Sequence, residues 1–139
     1  MSSGLTPAAV GDEVTFSKTV GESDVYLFAG ITGDFSPNHV NEQKMAETRY
    51  GRRIAHGALV VGFMSTTSTA MIEKLGGTAV SYGYDGVRFV KPVFIGDTLT
   101  VRYVISELRP EKQQTVATVE VTNQDGTVVA VAQHILYFL

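Results

Sequence analysis

The sequence predicts an α+β fold in which a five-stranded antiparallel β-sheet wraps around one long central α-helix. Three observations carry this. The organisation changes near residue 78, from helix- and loop-like patterns before it to strand-like patterns almost to the end. Residues 54–77, IAHGALVVGFMSTTSTAMIEKLGG, form the longest helical stretch. Its first half is apolar nearly all the way round (Ile54, Ala55, Ala58, Leu59, Val60, Val61, Phe63, Met64), so most of its sides must be buried. Finally, Leu99, Val101, Tyr103 and Ile105 fall on one face at period two, as in a half-buried strand. A lone apolar helix needs a sheet to cover it, and 139 residues suit one domain spanning 1–139.

Taken in order, EVTFSKTV (13–20) alternates and is rich in β-formers, which predicts the first strand. SDVYLFAGITG (23–33) opens on a Ser-Asp cap candidate and is stopped by Gly33, a short helix. In SPNHVNEQKMAETRYG, Ser36 is placed to cap a helix and Pro37 to occupy its first position, where the missing N–H costs nothing. That predicts a helix from Pro37 to about Thr48 with His39 in its first turn. Gly76-Gly77 ends the long helix. Strands follow over 79–94, 97–108, 113–123 and 126–139, with Asp125-Gly126 as a tight-hairpin signal between the last two.

Composition excludes several classes. The net charge of −3 gives no electrostatic case for a nucleic acid or an anionic membrane surface as partner. With no cysteine there is no disulfide, thiolate nucleophile or thiolate metal site. The N-terminal stretch lacks a basic segment followed by an apolar one, so no secretory signal is expected. The most apolar run is too short to span a bilayer. A cytoplasmic location is the expectation. His39, His56 and His134 fall at no ligand spacing, so no metal site is expected, and no Gly-rich nucleotide loop is present.

Two motifs carry chemistry. TGDFSPNHVN (32–41) sets Asp34 five residues before His39 across a Ser-Pro step, and IAHG (54–57) opens the apolar helix. By itself the first is a common turn-and-cap pattern. Together with RFVKPVFIGDTLTV (88–101), the segment GDFSPNHVN…RYGRRIAHGALVVGFMS resembles the MaoC-like dehydratases, and within them the (R)-specific enoyl-CoA hydratases. The resemblance runs from about residue 11 to the end. It implies a hotdog fold, a homodimer or dimer-like pair, and action on an acyl group carried by coenzyme A, which enters as substrate; no separate cofactor is implied. Two positions depart from the family pattern: Ser36 stands where Asn is common, and Asn41 where Asp is common.

Adding water across an α,β-unsaturated thioester needs an activated water, a proton for the α-carbon, and stabilisation of the thioester oxygen. Asp34 and His39 suit the first two as general acid/base groups, and the resemblance implies that this pair activates the water. Gly57 suits the third, because free N–H groups at a helix start form an anion site that a side chain there could block. His56, adjacent, reads first as a hydrogen-bonded structural residue and second as a substrate-binding one. Ser65 shares the i, i+4 stripe of Gly57 and Val61 and is a candidate to orient water or substrate, with small-residue packing as the rival reading. Val61 is a core residue or part of an acyl wall. Arg49, Arg52, Arg53, Arg88 and Lys91 are candidates for coenzyme A phosphates, and His134 reads as structural. A hotdog acyl-CoA thioesterase and a non-catalytic acyl-binding or dimerisation module are the rival functions. Retention of Asp34, His39 and IAHG favours hydration over both.

Overall fold

In a computed structural model, which describes residues 7–139, the elements follow the order β1 (Glu13–Thr19), α1 (Glu22–Thr32), α2 (Pro37–Val40), α3 (Glu42–Ala46), α4 (Gly57–Leu75), β2 (Ala79–Phe89), β3 (Thr98–Arg109), β4 (Gln114–Thr122) and β5 (Val128–Phe138). The stretch read above for a secretory signal lies partly outside the described residues. No helix among the described residues is long and apolar enough to cross a membrane.

The five strands form one antiparallel sheet in the order β1-β3-β4-β5-β2. Leu99, Val101, Tyr103 and Ile105 are all buried, as their alternation requires. They join Val119, Val121, Ala130, Ala132, Leu136 and Phe138 in the sheet's share of the core. From α4 come Val60, Phe63, Met64, Met71 and Leu75, roughly the stripe expected of a helix covered on one side by a sheet. Phe63 meets Phe16 of β1 edge to face, ring centroids 6.3 Å apart. The opposite side of α4 (Ala58, Gly62, Ser65, Thr66, Thr69) is exposed. The all-round apolarity of its first half is thus only partly used within one chain.

The punctuation works largely as the sequence predicts. Gly33 and Gly76 end α1 and α4 in the left-handed conformation, φ 83° and 78°, where a Cβ would be strained. The β4–β5 hairpin turns at Asp125-Gly126, with Asn123 Oδ1 accepting the N–H groups of Asp125 and Thr127.

Three local expectations need correction. The helix predicted from Pro37 to Thr48 breaks at Asn41, whose side chain accepts the Lys44 N–H and starts α3 afresh. Competition from a short Asn side chain for a nearby backbone donor is the physical reason. Ser36 makes no side-chain cap bond; instead its own N–H donates to Asp34 Oδ1 at 3.2 Å. The long helix begins at Gly57, not Ile54, because Ile54 bridges Phe94 and the Ala55 N–H donates to the Val93 carbonyl at 2.7 Å. Residues 54–56 are held extended against the segment after β2, so His56 becomes the N-cap residue.

Candidate active site

The break before α4 is what builds the site. His39 is fixed in α2 and is only 8% exposed. Its Nδ1 lies 2.8 Å from the Ile54 carbonyl. A carbonyl can only accept, so Nδ1 carries the proton and a neutral His39 keeps a bare Nε2. His56, 2% exposed, lies against it with ring centroids 3.7 Å apart and planes 28° from parallel. Its Nε2 donates to the Asp34 carbonyl at 2.9 Å, while Phe28 of α1 packs on it at 4.8 Å. His56 Nδ1 is buried with no hydrogen-bond partner.

These contacts bring Asp34, His39 and His56 together, with one donor atom of each within 4.8 Å of the others. The Asp34 carboxylate sits on the exposed side of the cluster. Sequence spacing gave no reason to expect a three-residue group here, because His56 reaches it through the fold. Each ring donates one N–H to a backbone carbonyl, which leaves His39 Nε2 and His56 Nδ1 as the bare nitrogens of the group.

Gly57 faces the same space. A cavity of about 210 Å³ is lined by His39, Gly57 and Val60, with Phe89, Lys91 and Ala130 among its other walls. At the start of α4 the first amides taken up are those of Leu59 and Val60, both donated to the His56 carbonyl. The Gly57 N–H precedes them, the position expected of an unsatisfied helix-start donor. The glycine is needed here for space: a Cβ at 57 would lie 2.7 Å from two ring atoms of Phe89.

Ser65 does not join this group. It is two turns further along α4 and neighbours the Tyr84 side chain of β2. Val61 is half-buried at the edge of the core. Among the cationic candidates, Lys91 lines the cavity. Arg53 is engaged by Glu22 at 2.7 Å and Glu42 at 3.0 Å, and Arg52 lies over the Phe94 ring at 4.0 Å. Sequence reasoning missed Tyr50 and Phe89 as cavity walls and Phe28 as the support behind His56. Aromatic residues in loops and at strand ends carry no local signal of what they will face.

The contacts of His56 give a first expectation. His56→Phe keeps an aromatic ring in the stack but loses the bond to the Asp34 carbonyl. Catalytic turnover is expected to fall about tenfold with little change in KM, as for a positioning residue. An unchanged kcat in steady-state kinetics would mean that the bond to the Asp34 loop has no bearing on the chemistry.

His134 is structural but not isolated. It is fully buried in β5, with Nδ1 2.8 Å from Tyr103 Oη and Nε2 2.7 Å from Ser81 Oγ. Burial lowers its pKa from 6.5 to about 4, and burial raises that of Tyr103. An unfolded chain therefore binds a proton at His134 that the folded chain refuses between these limits. The contribution of the neutral ring to stability is complete above about pH 6.5 and is lost as pH falls towards about 4. Urea midpoints measured across that window should fall with pH, and the slope should shrink in His134→Gln.

A sheet wrapped around one helix, with a buried histidine facing the helix's N-terminus across an apolar cavity, defines a hotdog-fold protein. Residues 6–127 match the family model described as MaoC like domain. An (R)-specific enoyl-CoA hydratase of Rhodospirillum rubrum is 41% identical over 103 residues, covering 74% of this chain and 69% of that protein. A 3-hydroxybutyryl-CoA dehydratase of Methylorubrum extorquens is 37% identical over 105 residues, covering 76% of this chain and 65% of that one. Among solved structures, the (R)-hydratase from A. caviae involved in PHA biosynthesis superposes with a TM-score of 0.84 at 28% identity, covering 96% of this chain and 98% of that chain. The chain belongs to the MaoC-like dehydratase family and is an enzyme of the hydro-lyase class.

Proposed function

We propose that the protein is an (R)-specific enoyl-CoA hydratase, equally a 3-hydroxyacyl-CoA dehydratase, acting as a single domain without a cofactor. The observation that carries this reading is one cavity lined by both His39 and the helix-start Gly57, with Lys91 on its wall. The thioester oxygen accepts from the Gly57 N–H, where charge builds as the enolate forms. The β-carbon then faces Asp34 and His39, which hold a water and take its proton as its oxygen adds. A proton delivered to the α-carbon completes the addition, and the reverse sequence is dehydration. The bare Nε2 of His39 is an acceptor suited to the water. Stereochemistry is taken from the relatives named (R)-specific.

Incubation with crotonyl-CoA tests the reading. Loss of enoyl absorbance without thiol release, giving (R)-3-hydroxybutyryl-CoA, is the expected result. Thiol release alone identifies a thioesterase, and binding without either change identifies a non-catalytic acyl-binding module.

A homodimer is part of the proposal. β2 is an edge strand whose Val80, Tyr82 and Phe89 are about half to two-thirds exposed, and the outer side of α4 is rich in small exposed residues. An unpaired apolar edge invites a second copy. Size-exclusion chromatography that finds a stable monomer at low micromolar concentration would remove it.

A further inference from the structure

The wall of the active-site cavity carries a charge that the chemistry above does not use. Lys91 lines the cavity together with His39, Gly57 and Tyr50, and no Asp or Glu is among the described residues that line it. Its other walls are largely apolar, with Val60, Val93 and Ala130 all buried. Among the described residues no carboxylate lies within ion-pair distance of Lys91. Arg53, by contrast, is already held by Glu22 and Glu42.

The fold holds this position firmly. The Val90 and Lys91 N–H groups both donate to the Val129 carbonyl of β5, at 2.9 and 3.3 Å, and Val129 itself lines the cavity. Pro92 follows with its fixed φ, and the Val93 carbonyl accepts the Ala55 N–H at 2.7 Å. The backbone at 91 is thus tied between β5 and the segment that leads into α4. Tyr50 stands on the same cavity, half-buried. Arg49 Nη2 donates to its hydroxyl oxygen at 3.5 Å, which leaves the Tyr50 O–H to donate elsewhere.

These groups suit an anion. An ammonium group gains nothing from a hydrocarbon tail and gains a charge-assisted hydrogen bond from a carboxylate. The phosphates of coenzyme A are poorly placed for this role. The whole pantetheine arm separates them from the thioester sulfur, whereas Lys91 and the Gly57 helix start share one cavity of about 210 Å³. A carboxylate on a short acyl group falls within that same space.

We propose that Lys91 and Tyr50 form a carboxylate subsite, and that the enzyme favours short acyl-CoA substrates whose acyl group carries a free carboxylate over plain hydrocarbon ones. This deepens the hydratase reading and rests on it for the seating of the thioester. Lys91 selects the substrate and takes no part in moving protons.

Calorimetry with saturated dethia analogues of acyl-CoA, in which a methylene group replaces the thioester sulfur, measures binding apart from turnover. Butyryl, pentanoyl and hexanoyl chains are each compared with the terminally carboxylated chain of the same length, in wild type, Lys91→Met and Tyr50→Phe. At the length that spans the cavity, wild type is expected to bind the carboxylated form about tenfold more tightly at low salt. Lys91 is exposed, so the ratio should shrink as ionic strength rises. In Lys91→Met the ratio falls to near one, and in Tyr50→Phe it falls part of the way. The ratio is read within each variant, so a general loss of binding cancels. Equal affinities in wild type at every length would overturn the proposal. So would a ratio unchanged in Lys91→Met, the result if the lysine meets only the carrier's phosphates and its loss weakens both forms alike. If the preference is present but neither crotonyl-CoA nor its carboxylated counterpart is hydrated, the subsite stands and the proposed reaction fails.

Discussion

Asp34→Asn and His39→Ala are each expected to lower the turnover of crotonyl-CoA hydration by about 10²-fold or more. The two variants probe the pair in different ways. Asn at 34 is isosteric and keeps a side-chain oxygen for the Ser36 N–H, the hydrogen bond that shapes the loop. The exposed carboxylate has little else to hold. Its loss should therefore appear in kcat while the urea midpoint stays near wild type. His39→Ala also removes the bond to the Ile54 carbonyl and the stack on His56, so a loss of stability accompanies the loss of rate. His39→Asn, whose amide can donate to the same carbonyl, separates the two effects. Groups that act on one water work as a unit, so the double variant should be little worse than the poorer single one. Near wild-type turnover in both single variants, in protein shown to be folded, would mean that the pair is misassigned.

Gly57→Ala carries the second large effect. A methyl group here projects into the space between the helix start and Phe89, 2.7 Å from the ring. Activity can fall for two reasons: the ring is displaced, or the methyl group stands where the thioester oxygen must approach the Gly57 N–H. The loss of one oxyanion donor is worth on the order of 10²–10³-fold, and kcat/KM for crotonyl-CoA is expected to fall by about 10²-fold. Phe89 is about half exposed on an edge strand, so its ring can be removed at modest cost. The Gly57→Ala/Phe89→Ala protein should recover any stability lost to the clash and remain slow. Full recovery of rate would assign the glycine to packing alone and remove the oxyanion role.

The departures at 36 and 41 acquire different meanings from the structure. Asn41 cuts the predicted helix in two by capping α3. Ser36 contributes its backbone N–H to Asp34 rather than a side-chain cap, so the residue expected to cap the helix start is part of how the carboxylate is held.

Elements whose cause is local were legible. Gly33, Gly76 and Asp125-Gly126 mark turns because backbone conformation is set within a few residues. The alternation in β3 fixed its buried face, and the apolar start of α4 required a covering sheet. Asp34, His39 and Gly57 were identifiable from two short motifs in sequence order. What the chain could not reveal locally was set by contacts between residues far apart along it. His56 meets the Asp34 carbonyl across 22 residues, and His134 meets Ser81 across 53. Phe89 covers Gly57 only because β2 returns alongside α4. Ser65 was placed on the Gly57 stripe by helical periodicity, which gives the direction along a helix but not the strand it will face; packing put it beside Tyr84. The sequence by itself determined the fold class and put forward Asp34, His39 and Gly57 as the candidate site. Tertiary structure decided their support and the cavity they face, because ring stacking and close approach exist only once distant segments share one interior.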